Sequence, residues 1–174
     1  IKAMPLLERI PDVVNAEKEP RIMAAIHRRL ARCAKELLDD DRALDEYRLA
    51  SEHLPDDPAI QKGLGELYYR QGEWADAETA YEAFLKLAGD DLADDAFVSV
   101  HLRLGECASK TGHAEEATNY LMRVLDERPN SLAAIRQVAQ VCAAQEEWDE
   151  EIRYKGHRLD RLVEPFDRFS THVE

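Results

Sequence analysis

No run of this chain approaches the roughly 18 apolar residues of a membrane-spanning helix, so insertion into a bilayer is not expected. Its opening stretch IKAMPLLERI has neither the basic start nor the long apolar core of a secretory signal. It also lacks an initiator Met, which points to a piece of a longer protein. Cysteine is scarce. Cys33, Cys107 and Cys142 make an odd set without C-x-x-C spacing, so neither a disulfide framework nor a zinc knuckle can be read, and a reducing, cytoplasmic setting is expected. Basic charge is the minority: 23 Lys and Arg against 36 Asp and Glu leave a net charge of −13, a field that repels nucleic acid and anionic lipid. Constellations for chemistry are missing too. GLGELYY (63–69) lies within a helical pattern and lacks the strand and the lysine of a phosphate loop. The six histidines show no H-x-x-x-H or H-E-x-x-H spacing for a metal, and His101 reads as a packing or solvated residue. No cofactor is expected, and the chain reads as non-enzymatic.

What the chain does have is 45% hydrophobic and 34% charged residues in a helical pattern, with only seven glycines and seven prolines as punctuation. It also repeats. LYYRQGEWADAETAYEAFLKL (67–87) aligns with CASKTGHAEEATNYLMRVLDERP (107–129) at a shift of 40, and the latter aligns with VCAAQEEWDEEIRYK (141–155) at a shift of 34. CAKELLDDDRALDEYRLASEHLP (33–55) lies 34 residues before the first of these. Ala31, Gly65, Gly105 and Ala139 mark the first helix of each unit, and Ala43, Ala77 and Ala117 mark the second helix. Small residues there let two antiparallel helices approach closely. Gly72 and Gly112 suit left-handed helix stops, and Pro55 and Pro129 end their units.

The pattern resembles the tetratricopeptide repeat, most clearly through Leu64, Gly65, Tyr68, Gly72, Ala77, Tyr81 and Phe84 of 58–90. It extends through 98–129 (Leu104, Gly105, Gly112, Ala117, Pro129) and 24–55 (Leu30, Ala31, Ala43, Tyr47, Ala50, Pro55), and weakens in 132–164, where Glu146 and Glu151 replace the turn glycine and the small residue. The resemblance implies an all-α fold, an α-solenoid wound as a right-handed superhelix of tandem helical hairpins. The expected divisions are a partial preceding unit over 1–20, units at 21–56, 57–90, 91–130 and 131–164, and the start of a further helix at 165–174, opened by Pro165. The third unit is the long one. Its extra six residues fall in GDDLADDAF (89–97) and are expected to lengthen a helix by nearly two turns, with Asp90, Asp91, Asp94 and Asp95 at its positive end. Cys33 and Cys107, and likewise Trp74 and Trp148, stand at equivalent places and read as packing residues, the tryptophans plugging the gap to the next unit.

The resemblance further implies that the first helices form a concave wall that binds extended or helical peptides. In the repeat register the groove lane runs Ala25, Arg28, Arg32, Lys35, then Ala59, Lys62, Glu66, Tyr69, then Ser99, Leu102, Glu106, Ser109, and finally Ala133, Arg136, Gln140, Ala143. The four first helices hold nine basic residues against Glu36, Glu66 and Glu106, a local charge of about +6 within an acidic shell. An acidic peptide or protein segment is the expected partner, met by Arg28, Arg32, Lys35, Lys62, Arg103 and Arg136, with Tyr69 as an apolar anchor or as a helix-packing residue. Two alternatives stand beside this reading: an accessory arm that recruits substrates for a larger enzyme or signalling protein, and self-association. The charges themselves have a second explanation. Lys62, Glu66 and Arg70, and Arg103, Glu106 and Lys110, have the spacing of intrahelical ion-pair ladders. Arg28, Arg29, Arg32 and Lys35 have only Glu36 nearby on their helix, so the acidic run 39–41, a preceding unit or a ligand would neutralise them. Arg32 and Glu66 also stand where the carboxylate-clamp variant of the family carries asparagines, so its chaperone-tail partner is not expected.

Overall fold

Prolines and aspartates set where the first three helices begin. Pro20 opens α1 (Pro20–Glu36), and Asp39 caps α2 (Asp40–His53) by accepting the Arg42 N–H at 3.2 Å. Asp57 caps α3 (Pro58–Gln71), accepting the Ala59 N–H at 2.8 Å just ahead of Pro58. Four more helices follow: α4 (Trp74–Ala88), α5 (Asp94–Thr111), α6 (Ala114–Glu127) and α7 (Leu132–Ala144). The computed structural model describes residues 19–89 and 92–144, and these seven helices, with no strand, are its regular elements. The fold is all-α, of the α-solenoid class.

Three helix stops share one hydrogen-bond pattern at the repeat spacing. The N–H groups of Asp39, Glu73 and His113 reach back to the carbonyls of Ala34, Tyr68 and Ala108 at 3.0, 2.9 and 2.8 Å. The residue before each is left-handed: Leu38 at φ +60°, Gly72 at +78° and Gly112 at +86°. This is the stop that satisfies the last carbonyls of a helix, and glycine adopts it without steric cost. In the first hairpin a leucine holds the glycine's place.

The chain divides into two compact units after Ala93. In the first, α1 packs chiefly on α2 and α3 on α4, and α2 against α3 joins the two hairpins. Ala24, Ala31, Ala43, Tyr47, Ile60, Leu64 and Leu67 form its core. The small markers other than Ala139 are buried as expected. A Cβ on Gly65 would stand 2.8 Å from the Tyr81 ring, and one on Gly63 would meet the Tyr47 ring at 2.4 Å. In the second unit α5 packs on α6 and α6 on α7, around Val98, Leu121, Val124, Ala134 and Val138. Gly105 faces Leu121, where a Cβ would come within 2.7 Å. Ala117 is fully buried, like Ala43 and Ala77, whereas Ala139 is exposed. Cys107 is buried and Cys33 half-buried.

The insertion in the third unit differs from expectation. α5 has 18 residues against 14 in α3, one turn more, because Gly89 closes α4 at φ +64° and the new helix starts only at Asp94. Asp94 and Asp95 occupy its first turn, where the helix dipole favours carboxylates, while Asp90 and Asp91 lie outside the described residues. Residues 1–18 of the N-terminal partial unit, Glu146, Trp148, Glu151, the second helix expected in the fourth unit and the segment after Pro165 lie outside them as well.

Candidate functional site

The α1 lane faces α3 through two ion pairs. The Arg28 guanidinium donates to Asp57 Oδ2 at 2.8 Å, and the Lys35 ammonium donates to Glu66 Oε2 at 2.6 Å. Both carboxylates come from the next repeat. The acidic run after α1 is engaged elsewhere: Asp39 caps α2, Asp40 pairs with Arg70 at 2.8 Å, and Asp41 accepts from the Gln71 amide at 3.1 Å. The neutralising charge for α1 therefore sits 29 to 31 residues away rather than in its own turn. Arg32, midway between the two pairs, is exposed and forms no ion pair among the described residues.

Beneath these groups lies Tyr47, buried on α2 with its ring tip against Gly63. Burial pushes its phenol above the ordinary range, with the Glu66 charge acting in the same sense and Arg32 and Arg28 opposing it. In the sequence Tyr47 stands only among the residues that carry the repeat resemblance. Asp57 was missed altogether, although an aspartate just before the proline that opens a helix is a readable cap signal.

On α3 the charged residues reach across to other helices. Glu66 reaches Lys35, Arg70 reaches Asp40, and the Lys62 ammonium stands 5.8 Å from the centroid of the Phe84 ring. Tyr69 is half-buried and meets Trp74 edge to face at 5.5 Å across the turn of its own hairpin. Trp74 also covers Gly72. Two of the seven candidate residues, Arg28 and Lys35, are thus held by carboxylates, Lys62 lies over an aromatic ring, and Arg32 remains open.

In the second unit the first-helix lane encloses a pocket of about 440 Å³ between α5 and α7, lined by Glu106, Ser109, Lys110, Ala133, Arg136, Gln137 and Gln140. Five of these, Glu106, Ser109, Ala133, Arg136 and Gln140, are lane residues of the repeat register. The other two add chemistry that the register did not single out: Lys110 is exposed, and the Gln137 amide oxygen is buried without a hydrogen-bond partner. Arg136 is exposed at the pocket. Leu102 packs on the hydrophobic cluster instead, and Arg103 is half-buried, has an interaction of its own within the chain and does not line the pocket.

His101 is a core residue. It is 1% exposed, donates its Nδ1–H to the Phe97 carbonyl at 2.9 Å, and packs its ring 4.0 Å from Phe97 by centroid. Burial lowers its pKa below the ordinary 6.5, the Phe97 bond opposes this, and Arg123 adds to the lowering. Among the described residues no group of three His, Cys, Asp or Glu side chains is arranged to hold a metal, and no helix is long and apolar enough to cross a membrane.

Helical hairpins recurring at 34 and 40 residues, with shared small-residue contacts and shared stops, define an α-hairpin repeat array. Two stretches of the chain match tetratricopeptide-repeat models. Residues 43–88 match the family model described as YpiA-like, tetratricopeptide repeats, and residues 99–131 match a tetratricopeptide repeat model. The chain is 34% identical over 77 residues to the TPR repeat-containing protein YpiA of Bacillus subtilis (strain 168), a match covering 44% of this chain and only 17% of that relative's length. Among solved structures it is similar to MamA from AMB-1, with a TM-score of 0.68 at 20% identity over 93% of this chain and 81% of that one. It is also similar to the first TPR of Spaghetti (RPAP3) bound to the HSP90 peptide SRMEEVD, with a TM-score of 0.57 at 20% identity over 72% of this chain and 94% of that one.

Proposed function

We propose that the chain is a non-enzymatic protein-interaction scaffold that binds a peptide or protein segment on the first-helix walls of its two units, with a preference for acidic segments. The observation that carries this reading is the pocket between α5 and α7, where five lane residues separated by a whole repeat line one concavity of about 440 Å³. A concave site with a few convergent polar groups is the ordinary form of a binding site. Arg136 and Lys110 at that pocket and Arg32 on α1 supply exposed positive charge on a chain of net charge −13, which favours an acidic ligand. The RPAP3 domains offer a parallel of the same fold, since they were solved with the peptides SRMEEVD and SGPTIEEVD. Free thiols at Cys33, Cys107 and Cys142 accord with a reducing, cytoplasmic setting.

The test is a peptide-library screen against the wild type, Arg136→Glu and Arg32→Glu, read with far-UV circular dichroism as a control on folding. Acidic peptides are expected to dominate the wild-type profile and to be depleted in both variants. Identical profiles from all three proteins would remove the proposal.

A further inference from the structure

The α1–α3 face carries a feature that a plain cationic groove would not have. Its lane cations stand at 28, 32 and 35, spaced so that all three share one side of α1 over about 10 Å of helix axis. The outer two are held by carboxylates from α3, through Arg28 to Asp57 at 2.8 Å and Lys35 to Glu66 at 2.6 Å. Neither carboxylate is loosely placed. Asp57 uses its other oxygen to cap α3, accepting the Ala59 N–H at 2.8 Å, and the Glu66 side chain is only 26% exposed, against 25% for Lys35. Among the described residues Arg32 has no acidic counterpart, since the α3 lane offers Lys62 between Asp57 and Glu66, and Lys62 lies over the Phe84 ring. Below the cluster, the Tyr47 ring closes the floor against Gly63.

An incoming carboxylate therefore meets one open guanidinium flanked by two fixed anions. A second carboxylate close to the first would have to displace Glu66 or Asp57 from its cation, or stand in their repulsive field. Resting on the reading proposed above, we infer that Glu66 and Asp57 are specificity-determining residues that act as built-in competitors. They restrict the α1–α3 face to ligands presenting a single anionic group and discriminate against paired carboxylates. A role confined to joining the two hairpins would cost stability on removal and would leave ligand preference unchanged.

The experiment titrates the full chain with SRMEEVD, the peptide bound by the RPAP3 neighbour, and with the same peptide carrying glutamine for both glutamates. Each is amidated at its C-terminus, so that the second keeps a single carboxylate, and the salt is held at about 50 mM so that screening is modest. Wild type is compared with the double variant Glu66→Gln/Asp57→Asn. The asparagine at position 57 of that variant keeps a capping oxygen. A control, Glu115→Gln/Glu116→Gln, removes the same charge from exposed positions in the first turn of α6. Wild type is expected to bind the two peptides within about threefold of each other. The double variant is expected to bind SRMEEVD about tenfold more tightly than wild type, with little change for the glutamine peptide and none in the control. A gain below threefold, or an equal gain for both peptides or in the control, overturns the inference while leaving the scaffold reading standing. Absence of binding by every protein, or wild-type binding untouched by Arg32→Glu and Arg136→Glu, overturns both.

Discussion

Leu38 and Gly65 show how a single side chain is judged by the backbone or the neighbour it meets. Leu38 stands in the left-handed conformation at φ +60° and is 80% exposed, so it bears the steric cost of that conformation and gains little burial in return. Leu38→Gly is expected to raise stability by about 1 kcal/mol, visible as a higher urea midpoint with an unchanged slope. Gly65 is the opposite case. A methyl group there would stand 2.8 Å from the Tyr81 ring, near its attachment, where a rotation of the ring cannot relieve the clash. Gly65→Ala should therefore destabilise the first unit by about 1–3 kcal/mol despite the better helix propensity of alanine. A neutral result in urea unfolding would mean that α3 and α4 can part without cost.

At the level of the helix, α5 carries the clearest pH response. His101 is buried among Phe97, Tyr120 and the core, with Arg123 as the positive group acting on it. Its folded pKa lies below the 6.5 of the free side chain. Between those two values the unfolded chain binds more protons than the folded one, so stability falls as the pH is lowered through that window. Urea midpoints measured from about pH 7 down to about pH 5 should decline for the wild type. They should decline less for His101→Leu, which has no proton to take up. Identical profiles would show that the imidazolium is accommodated. The stops of α1, α3 and α5 belong to this scale too. Each repeats the same back-bonded turn, so a single backbone device ends three helices.

For the whole molecule, the proposed preference for acidic partners rests on charge. With 36 acidic against 23 basic residues the net field is repulsive to polyanions, while the first helices carry nine basic residues against three acidic ones. Acidic peptide affinity should weaken as salt is raised from about 50 to about 300 mM, because the attraction acts through exposed cations within a Debye length. Duplex DNA should show no retardation in a gel shift at physiological salt. Salt-independent peptide binding would assign the affinity to apolar contact and not to Arg32, Lys110 and Arg136.

The linear order of residues was enough to determine the period, the helical hairpins, the small-residue contacts and the glycine stops. Each depends on local geometry or on spacing that repeats, and both are written in one dimension. Helical periodicity likewise places Glu106, Ser109, Arg136 and Gln140 on equivalent faces, and these four line the pocket of the second unit. What only the tertiary structure decided is which charges remain open. Arg28 and Lys35 were silenced by Asp57 and Glu66, residues a full repeat away, and the distance between those partners depends on how two hairpins stack. The extra residues of the third unit were visible as an insertion, yet their division between a linker and one helical turn was fixed by where Gly89 stopped α4 and where Asp94 began α5. Ion pairing falls off with distance in space, and sequence separation does not report that distance.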